Sequence, residues 1–453
     1  MCLSMVVGRS SIGQSPVGQS PGARDHAVAL ALVGLVFVVH VLSPIRTSFD
    51  SRWAIHTAVS LAYRGDTDLG EYDDLLREDE YYAIEHRDGR EFTRYPIGPS
   101  LLAVPVVVVW DLIARLTAKS TAEDLIKQHR AVALEVVVAS LVVGLTTGIV
   151  YSTARLCGLR LALAGVLALV SAFCTPAWST ASRGLWQHGP SMLTVSSGLY
   201  LLLLARRCER YAALAALPLA FGYLVRPTNA IPLAVFAAYV AVRHPRQIVS
   251  FASVSALVIG TFLVLNLRGF GAPLPSYFLP SGQSFGAWSE VPWNLAGHLV
   301  SPNRGLFVFS PVLLLAIAGV VLELRRGTLN LLDGAVLTVL AGHFLVISIT
   351  FPWWAGHSFG PRFTTDVLPL LAYLMIPAVA AVSALRPPVK QWLSAVLIVL
   401  TAWSFFAQYR AATRWDVWAW NGTPVSIDDR PDRAWDWTDL QILRGLGRAP
   451  DER

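Results

Sequence analysis

Asp50 follows an apolar stretch that ends near Leu42, within FDSRWAIHTAVSLAYRGD (49–66). A carboxylate fixed where a helix leaves a bilayer is partly desolvated, which raises its basicity. It can then take a proton from an acceptor hydroxyl. The plainer reading makes it one solvated acid among many in its loop. FPWWAGHSFGPRFTTD (351–366) is the densest polar and aromatic segment. Its Arg362 offers a planar fork of donors suited to a phosphate and to charge developing on a departing group. Trp353 and Trp354 suit either stacking on a sugar ring or anchoring at lipid headgroups, and His357 is a further donor. Arg226 in LVRPTN and Arg304 in SPNRG stand beside prolines at the ends of apolar spans. There an arginine either binds phosphate or snorkels toward headgroups. In SRGLWQH, Arg183 and His188 flank Trp186 in the same way. A lone histidine at such a place is more often a hydrogen-bonded structural residue than a base.

The elements that must hold these residues are membrane helices. The chain is 453 residues long, 54% hydrophobic and only 15% charged. That excludes a water-soluble globule or a disordered chain and fits a polytopic helical bundle. Apolar stretches recur from about residue 27 to 409, most of them near the ~17–25 residues of a spanning helix. The net charge of +6 does not indicate nucleic acid. Lysines number only three, and many of the arginines sit in short loops where they set topology. The cysteines show no paired spacing, so neither a disulfide framework nor a metal site is indicated. Residues 1–26 read as a disordered cytoplasmic tail, and 27–42 as an uncleaved anchor.

The loop over 45–95 carries twelve acids against seven arginines, a net of −5. The later short loops are basic: Arg155 and Arg160, Arg206 to Arg210, Arg243 and Arg246, Arg325 and Arg326, Arg386 and Lys390. The positive-inside bias places these in the cytoplasm and the acidic loop outside. Spans near 131–153, 161–178, 189–205, 211–225, 229–242, 249–267, 305–324, 331–350, 366–384 and 391–409 then alternate. With the first span this makes an all-α bundle of about eleven transmembrane helices. The stretch 99–116, with Pro99, Pro105 and Asp111, is then re-entrant or interfacial. If it crosses, the number is about twelve and one later segment does not cross. The chemistry-bearing segments and the Trp-rich tail 410–453 all fall on the outer side. After Arg52 the pattern WAIHTAVSLAY reads as an amphipathic helix, with Trp53, Ile55, Ala58, Val59 and Ala62 on one face.

Asp-x-Arg-Trp-Ala, an apolar helix ending in Gly65-Asp66, and then RYPIGPSLLAVP (94–105) resemble the first outer loop of the GT-C glycosyltransferases. That superfamily includes the aminoarabinose and protein O-mannosyl transferases. The resemblance covers about 46–116 in sequence and the whole chain in layout. It implies a GT-C bundle that moves a sugar from a polyprenyl-phosphate donor to a glycan, lipid or protein acceptor. It also implies an outward-facing site, and the arginine-heavy, lysine-poor composition points to a bacterial cytoplasmic membrane. Asp50 matches the family's catalytic aspartate. Arg362, Arg226 and Arg304 would hold the donor phosphate, while Trp353, Trp354, Trp186, His188 and His357 would shape the groove. The chain departs from the family where a second acidic motif is common, since its matching loop reads SRGLWQHGPSM. No cofactor is therefore specified, and a divalent metal is left open. A lipid-linked saccharide flippase and a non-catalytic envelope-assembly protein are the competing readings.

Overall fold

The computed structural model describes residues 22–77, 82–127, 131–279 and 284–446. Most of the expected tail 1–26, the lysine-flanked segment 128–130 and the last residues of the chain lie outside them.

The architecture is all-α. Its longer helices are α1 Ala23–Leu42, α2 Ala54–Tyr63, α3 Gly98–Ala118, α4 Ala131–Leu156, α5 Leu161–Phe173 and α6 His188–Ala205. They continue as α7 Ala216–Val225, α8 Ala230–Arg243, α9 Ile248–Gly269, α10 Leu314–Arg326, α11 Leu331–Ile349, α12 Leu368–Ser383 and α13 Val389–Thr413. Each predicted span coincides with one of these helices, some of them preceded or followed by shorter helical pieces. Among the described residues, seven helices are long and apolar enough to cross a membrane, including Gly98–Thr117. The stretch expected to be re-entrant or interfacial is thus one unbroken helix, even with Pro105 inside it. Its buried face holds Ala103, Val107, Asp111 and Ala114, while Val108, Val109, Leu112 and Ile113 are exposed. A helix that is apolar on its exposed face is suited to lipid contact, not to water.

Three predicted spans are interrupted, and proline accounts for two of the breaks. Proline has no N–H to donate and clashes with the preceding turn. The span expected over 161–178 ends its helix at Phe173, then makes a π-type turn over Ala177–Ala181 after Pro176. The span expected over 305–324 is broken by Ser310-Pro311 before α10 begins. The third break is slight, at Ala215, between a short helix Arg210–Leu214 and α7.

α1 packs along α4, and α4 along α6, as one layer of the bundle. Small residues permit that approach. A side chain at Gly144 would meet the Val33 carbonyl at 2.9 Å, and one at Gly148 the Val33 side chain at 2.8 Å. At one end of this layer the arginine-rich turns gather, and Arg206 there donates to Asn330 at 2.8 Å. At the other end lies a cap built from the acidic loop and the tail.

The helix expected after Arg52 is α2, but it is buried on both faces and not half-exposed: Ile55, Ala58 and Val59 are fully buried, and His56, Thr57 and Ser60 are buried with them. With Trp53, Leu69 and Tyr72 it forms a core against α3 and α4. Each aliphatic side chain as large as valine, once buried, contributes about 1.5–3 kcal/mol. A hairpin follows: β1 Ile84–Arg87 pairs antiparallel with β2 Arg90–Thr93, Arg87 opposite Arg90. Asp88 and Gly89 both have positive φ, +50° and +75°. This is the Asp-Gly turn that matches strand twist, and it is a signal the hydropathy reading passes over. The hairpin delivers Thr93 and Tyr95 toward the site.

The described part of the tail, 410–446, packs onto the bundle. Val417, Trp418 and Ile442 pack with Ile45, Phe309 and Phe359. Trp420, Ile427 and Ala434 pack with Trp353 and Trp354. Asn421, the first residue of the Asn-Gly-Thr triplet 421–423, is 2% exposed and donates to the Trp418 carbonyl at 3.0 Å.

Candidate active site

A cavity of about 620 Å³ opens at the capped end of the bundle. Asp50, Tyr82, Tyr95, Trp186, His188, Arg226, Tyr277, His357, Arg362 and Asp428 line it. Asp50 enters from the turn after α1, Trp186 and His188 from the start of α6, and Arg226 from the end of α7. Arg362 comes from the 3-10 turn Arg362–Val367 that leads into α12. Four segments far apart in sequence thus place one polar group each at a common point.

Asp50 is ion-paired with Arg362 through a hydrogen bond from the guanidinium. Tyr82 Oη donates to its other oxygen at 2.6 Å. Burial pushes the Asp50 carboxyl up, but the Arg362 charge and the bonds from Tyr82, Arg362 and Tyr95 overcome it. The net direction is down, below the usual carboxylate range. This corrects the expectation of raised basicity: the sequence shows the desolvation but not the cation that Arg362 brings from 312 positions away. The Tyr95 hydroxyl is pushed up, by burial first and by the Asp50 charge second.

Arg362 is fixed on three sides. Its guanidinium carbon lies 3.7 Å from the centre of the Trp186 ring, close enough for cation–π attraction. Its Nε donates to His188 Nε2 at 3.2 Å. His188 Nδ1 lies 2.7 Å from Asp366 Oδ1 and 2.8 Å from an Arg226 nitrogen, so the imidazole sits between two guanidinium groups and a carboxylate. Arg226 donates to the second Asp366 oxygen at 2.8 Å. The chain of contacts runs Asp366–His188–Arg362–Asp50. His188 lines the cavity, and its ring nitrogens face Arg362 on one side and Asp366 and Arg226 on the other.

Sequence reasoning passed over Asp366. It closes the segment FPWWAGHSFGPRFTTD, four residues past Arg362, and a carboxylate just before a long apolar helix is a signal worth weighing. Tyr82, Tyr95 and Tyr277 were also missed. Tyrosines are common, and only the hairpin and the 3-10 turn Ser276–Phe278 bring these three to one cavity.

Three expected site residues lie elsewhere. Arg304 does not line the cavity. It is buried, and its donors are taken by the carbonyls of Trp354 at 2.7 Å, Asn303 at 2.7 Å and Gly356 at 3.2 Å, by Gln441 at 2.9 Å and by Asn421 at 2.9 Å. No donor is left over for a phosphate. Trp353 packs on Gly297 and against His298, and Trp354 donates to Asp428 at 2.8 Å. Both are in the tail-facing core, while Pro352, Ala355, Gly356 and His357 around them form the cavity wall. Alternating aromatic and small residues in a sharp turn hide which side chains point inward.

This placement makes Arg304 a stability residue. Arg304→Ala leaves several buried acceptors without donors, at a cost of about 3 kcal/mol or more. The expected result is a lower melting temperature in detergent and faster proteolytic release of the tail, with donor KM unchanged in the protein that remains folded.

A divalent metal finds no obvious seat here. Among the described residues no group of three His, Cys, Asp or Glu side chains comes together as ligands. Asp50 and Asp366 are each matched by an arginine instead.

No protein-family model and no curated protein matches this chain. Solved structures do. The oligosaccharyltransferase of Archaeoglobus fulgidus, solved with a tethered acceptor peptide, superposes with a TM-score of 0.51 at 12% identity over 90% of this chain. ArnT from Cupriavidus metallidurans, in its apo state, gives 0.50 at 15% identity over 87%. Both are GT-C glycosyltransferases. The chain has the GT-C fold. At these identities the likeness concerns the fold alone. This chain spans 58% and 64% of the two longer proteins, less than two thirds of their length. The GT-C resemblance carried by the Asp50 loop and the 94–105 motif thus agrees with the architecture.

Proposed function

We propose that this GT-C protein is a glycosyltransferase that moves a sugar from a polyprenyl-phosphate donor to an acceptor hydroxyl or amide at the outer face of the membrane. The observation that carries the reading is the Asp50–Arg362 pair at the wall of the cavity, with Arg362 oriented by His188 and Asp366. It brings a base and a phosphate-binding cation to one point, as transfer from a phosphate requires.

In this reading Arg362 and Arg226 hold the donor phosphate. The phosphate competes with Asp50 for Arg362, so donor binding draws the guanidinium off the carboxylate. Asp50 then keeps its desolvation but loses its counter-charge, which raises its basicity when an acceptor is to be deprotonated. The acceptor oxygen or nitrogen attacks the anomeric carbon, its proton passes to Asp50, and the bond from carbon to phosphate oxygen breaks. The leaving polyprenyl phosphate keeps the electron pair and is stabilised by Arg362 and Arg226. Trp186 and the cavity tyrosines shape the sugar pocket. The lipid tail lies against the apolar faces of the bundle. Placement of the capped end outside rests on the basic turns at the opposite end.

Membranes containing the protein, given labelled polyprenyl-phosphate sugars or labelled nucleotide sugars, test the donor class. Product is expected from the lipid donors alone. Product from a nucleotide sugar in lipid-free assays would contradict this reading.

The Tyr82 contact gives a pH test. In the free enzyme kcat/KM rises as Asp50 loses its proton, and the lowered value places that acid limb at low pH. Tyr82→Phe removes one bond that stabilises the carboxylate, so the limb moves to higher pH while the neutral plateau falls less than about tenfold. A limb that stays in place would separate Asp50 from the pH dependence.

A further inference from the structure

Glu135 lies in α4 and is 1% exposed. One of its carboxylate oxygens accepts from the Ser51 hydroxyl and, at 2.7 Å, from the Leu185 backbone N–H. The other accepts from the Ser48 hydroxyl. Ser48 and Ser51 bracket Asp50 in the turn SFDS. Leu185 immediately precedes Trp186, the ring on which Arg362 rests. One carboxylate therefore ties the loop that carries the base to the loop that carries the arginine's platform. Two further contacts show how closely these loops are drawn together. Trp186 Nε1 donates to the Thr47 carbonyl at 2.5 Å. A side chain at Gly184 would meet that carbonyl at 2.7 Å and Glu135 at 3.0 Å, so only glycine fits.

A buried carboxylate away from the cavity is costly unless its oxygens are satisfied. Here the donors come from the two loops whose relative position decides whether Asp50 meets Arg362. We propose that Glu135 is a positioning residue that sets the register of the Asp50 turn against the Trp186 loop. This rests on the reading of Asp50 as the base. Glu135 does not line the cavity, so it acts through the two loops and not on substrate.

Steady-state kinetics of the full chain in lipid vesicles, with polyprenyl-phosphate sugar as donor, test the assignment. Glu135→Ala is expected to lower kcat about 10–100-fold, the scale of a small misplacement of a reacting group, with donor KM within about threefold of wild type. Glu135→Gln keeps an acceptor for Leu185 and Ser51 and is expected to restore kcat to within about threefold. Should Glu135→Ala fail to accumulate, the pair Ser48→Ala with Ser51→Ala removes the same ties from the other side. It is expected to give the same fall in kcat, and adding Glu135→Gln to it should cost nothing further. The proposal is overturned if the serine pair keeps wild-type kcat while Asp50→Asn is inactive, or if Glu135→Gln is as impaired as Glu135→Ala. If Asp50→Asn itself keeps full rate, the base reading falls and this assignment falls with it.

Discussion

Asp50→Asn is expected to lower kcat by about 10²–10⁴ while donor KM stays the same or falls. The asparagine has nearly the same shape and still accepts a bond from Tyr82, so the turn between α1 and α2 keeps its path. What goes is the capacity to take the acceptor's proton. The effect on binding has the opposite sign. In the resting site Asp50 holds Arg362, so the donor phosphate must displace a carboxylate. With asparagine in its place the guanidinium is free to meet the phosphate. Measured kcat and KM for donor, at matched protein amounts, decide this. A rise in KM with kcat unchanged would assign Asp50 to binding and not to proton transfer.

Arg362→Ala is expected to lower kcat about 10²–10³-fold, as loss of a charge-stabilising group does, and to raise donor KM as well. Two functions end together: the cation that meets the leaving phosphate and the counter-charge that keeps Asp50 ionised. With Arg362 gone, burial is left to act on Asp50 against the tyrosine bonds alone. The acid limb of any residual activity therefore moves to higher pH, further than with Tyr82→Phe. Arg362→Lys is expected to recover little. A lysine supplies one charged point, whereas the guanidinium reaches Asp50 and His188 from different nitrogens and lies flat on Trp186. Rates for the lysine variant near wild type would show that charge alone suffices.

Hydropathy and the arginine-rich turns made the helical layout legible. A run of apolar residues long enough to span states its own purpose, and arginines between such runs state which ends lie together. Breaks within spans were less legible, because Pro176 and Pro311 interrupt helices whose overall hydropathy is unaffected. Asp50 was found from its place past the end of an apolar span, and Arg362 from the dense polar and aromatic segment that holds it. That they pair was not legible, since a contact across 312 positions leaves no local trace. The same holds for Arg304. Its position beside a span end suits a phosphate ligand as well as a structural clamp, and only the acceptors from residues 354, 356, 421 and 441 distinguish the two. Asp366 and Glu135 were hard to weigh for a related reason. An acid at a helix boundary is common, and its meaning lies in donors supplied by distant loops.

In the proposed reaction this cavity breaks a sugar–phosphate bond on a lipid. The most direct measurement uses purified protein in liposomes, a doubly labelled polyprenyl-phosphate sugar and an acceptor extract, with free polyprenyl phosphate and transferred sugar counted together. Wild type is expected to release the two labels one for one, and Asp50→Asn to release neither. Donor that crosses the bilayer intact, at equal rates with wild type and Asp50→Asn, would contradict the account and make the protein a carrier of lipid-linked sugar.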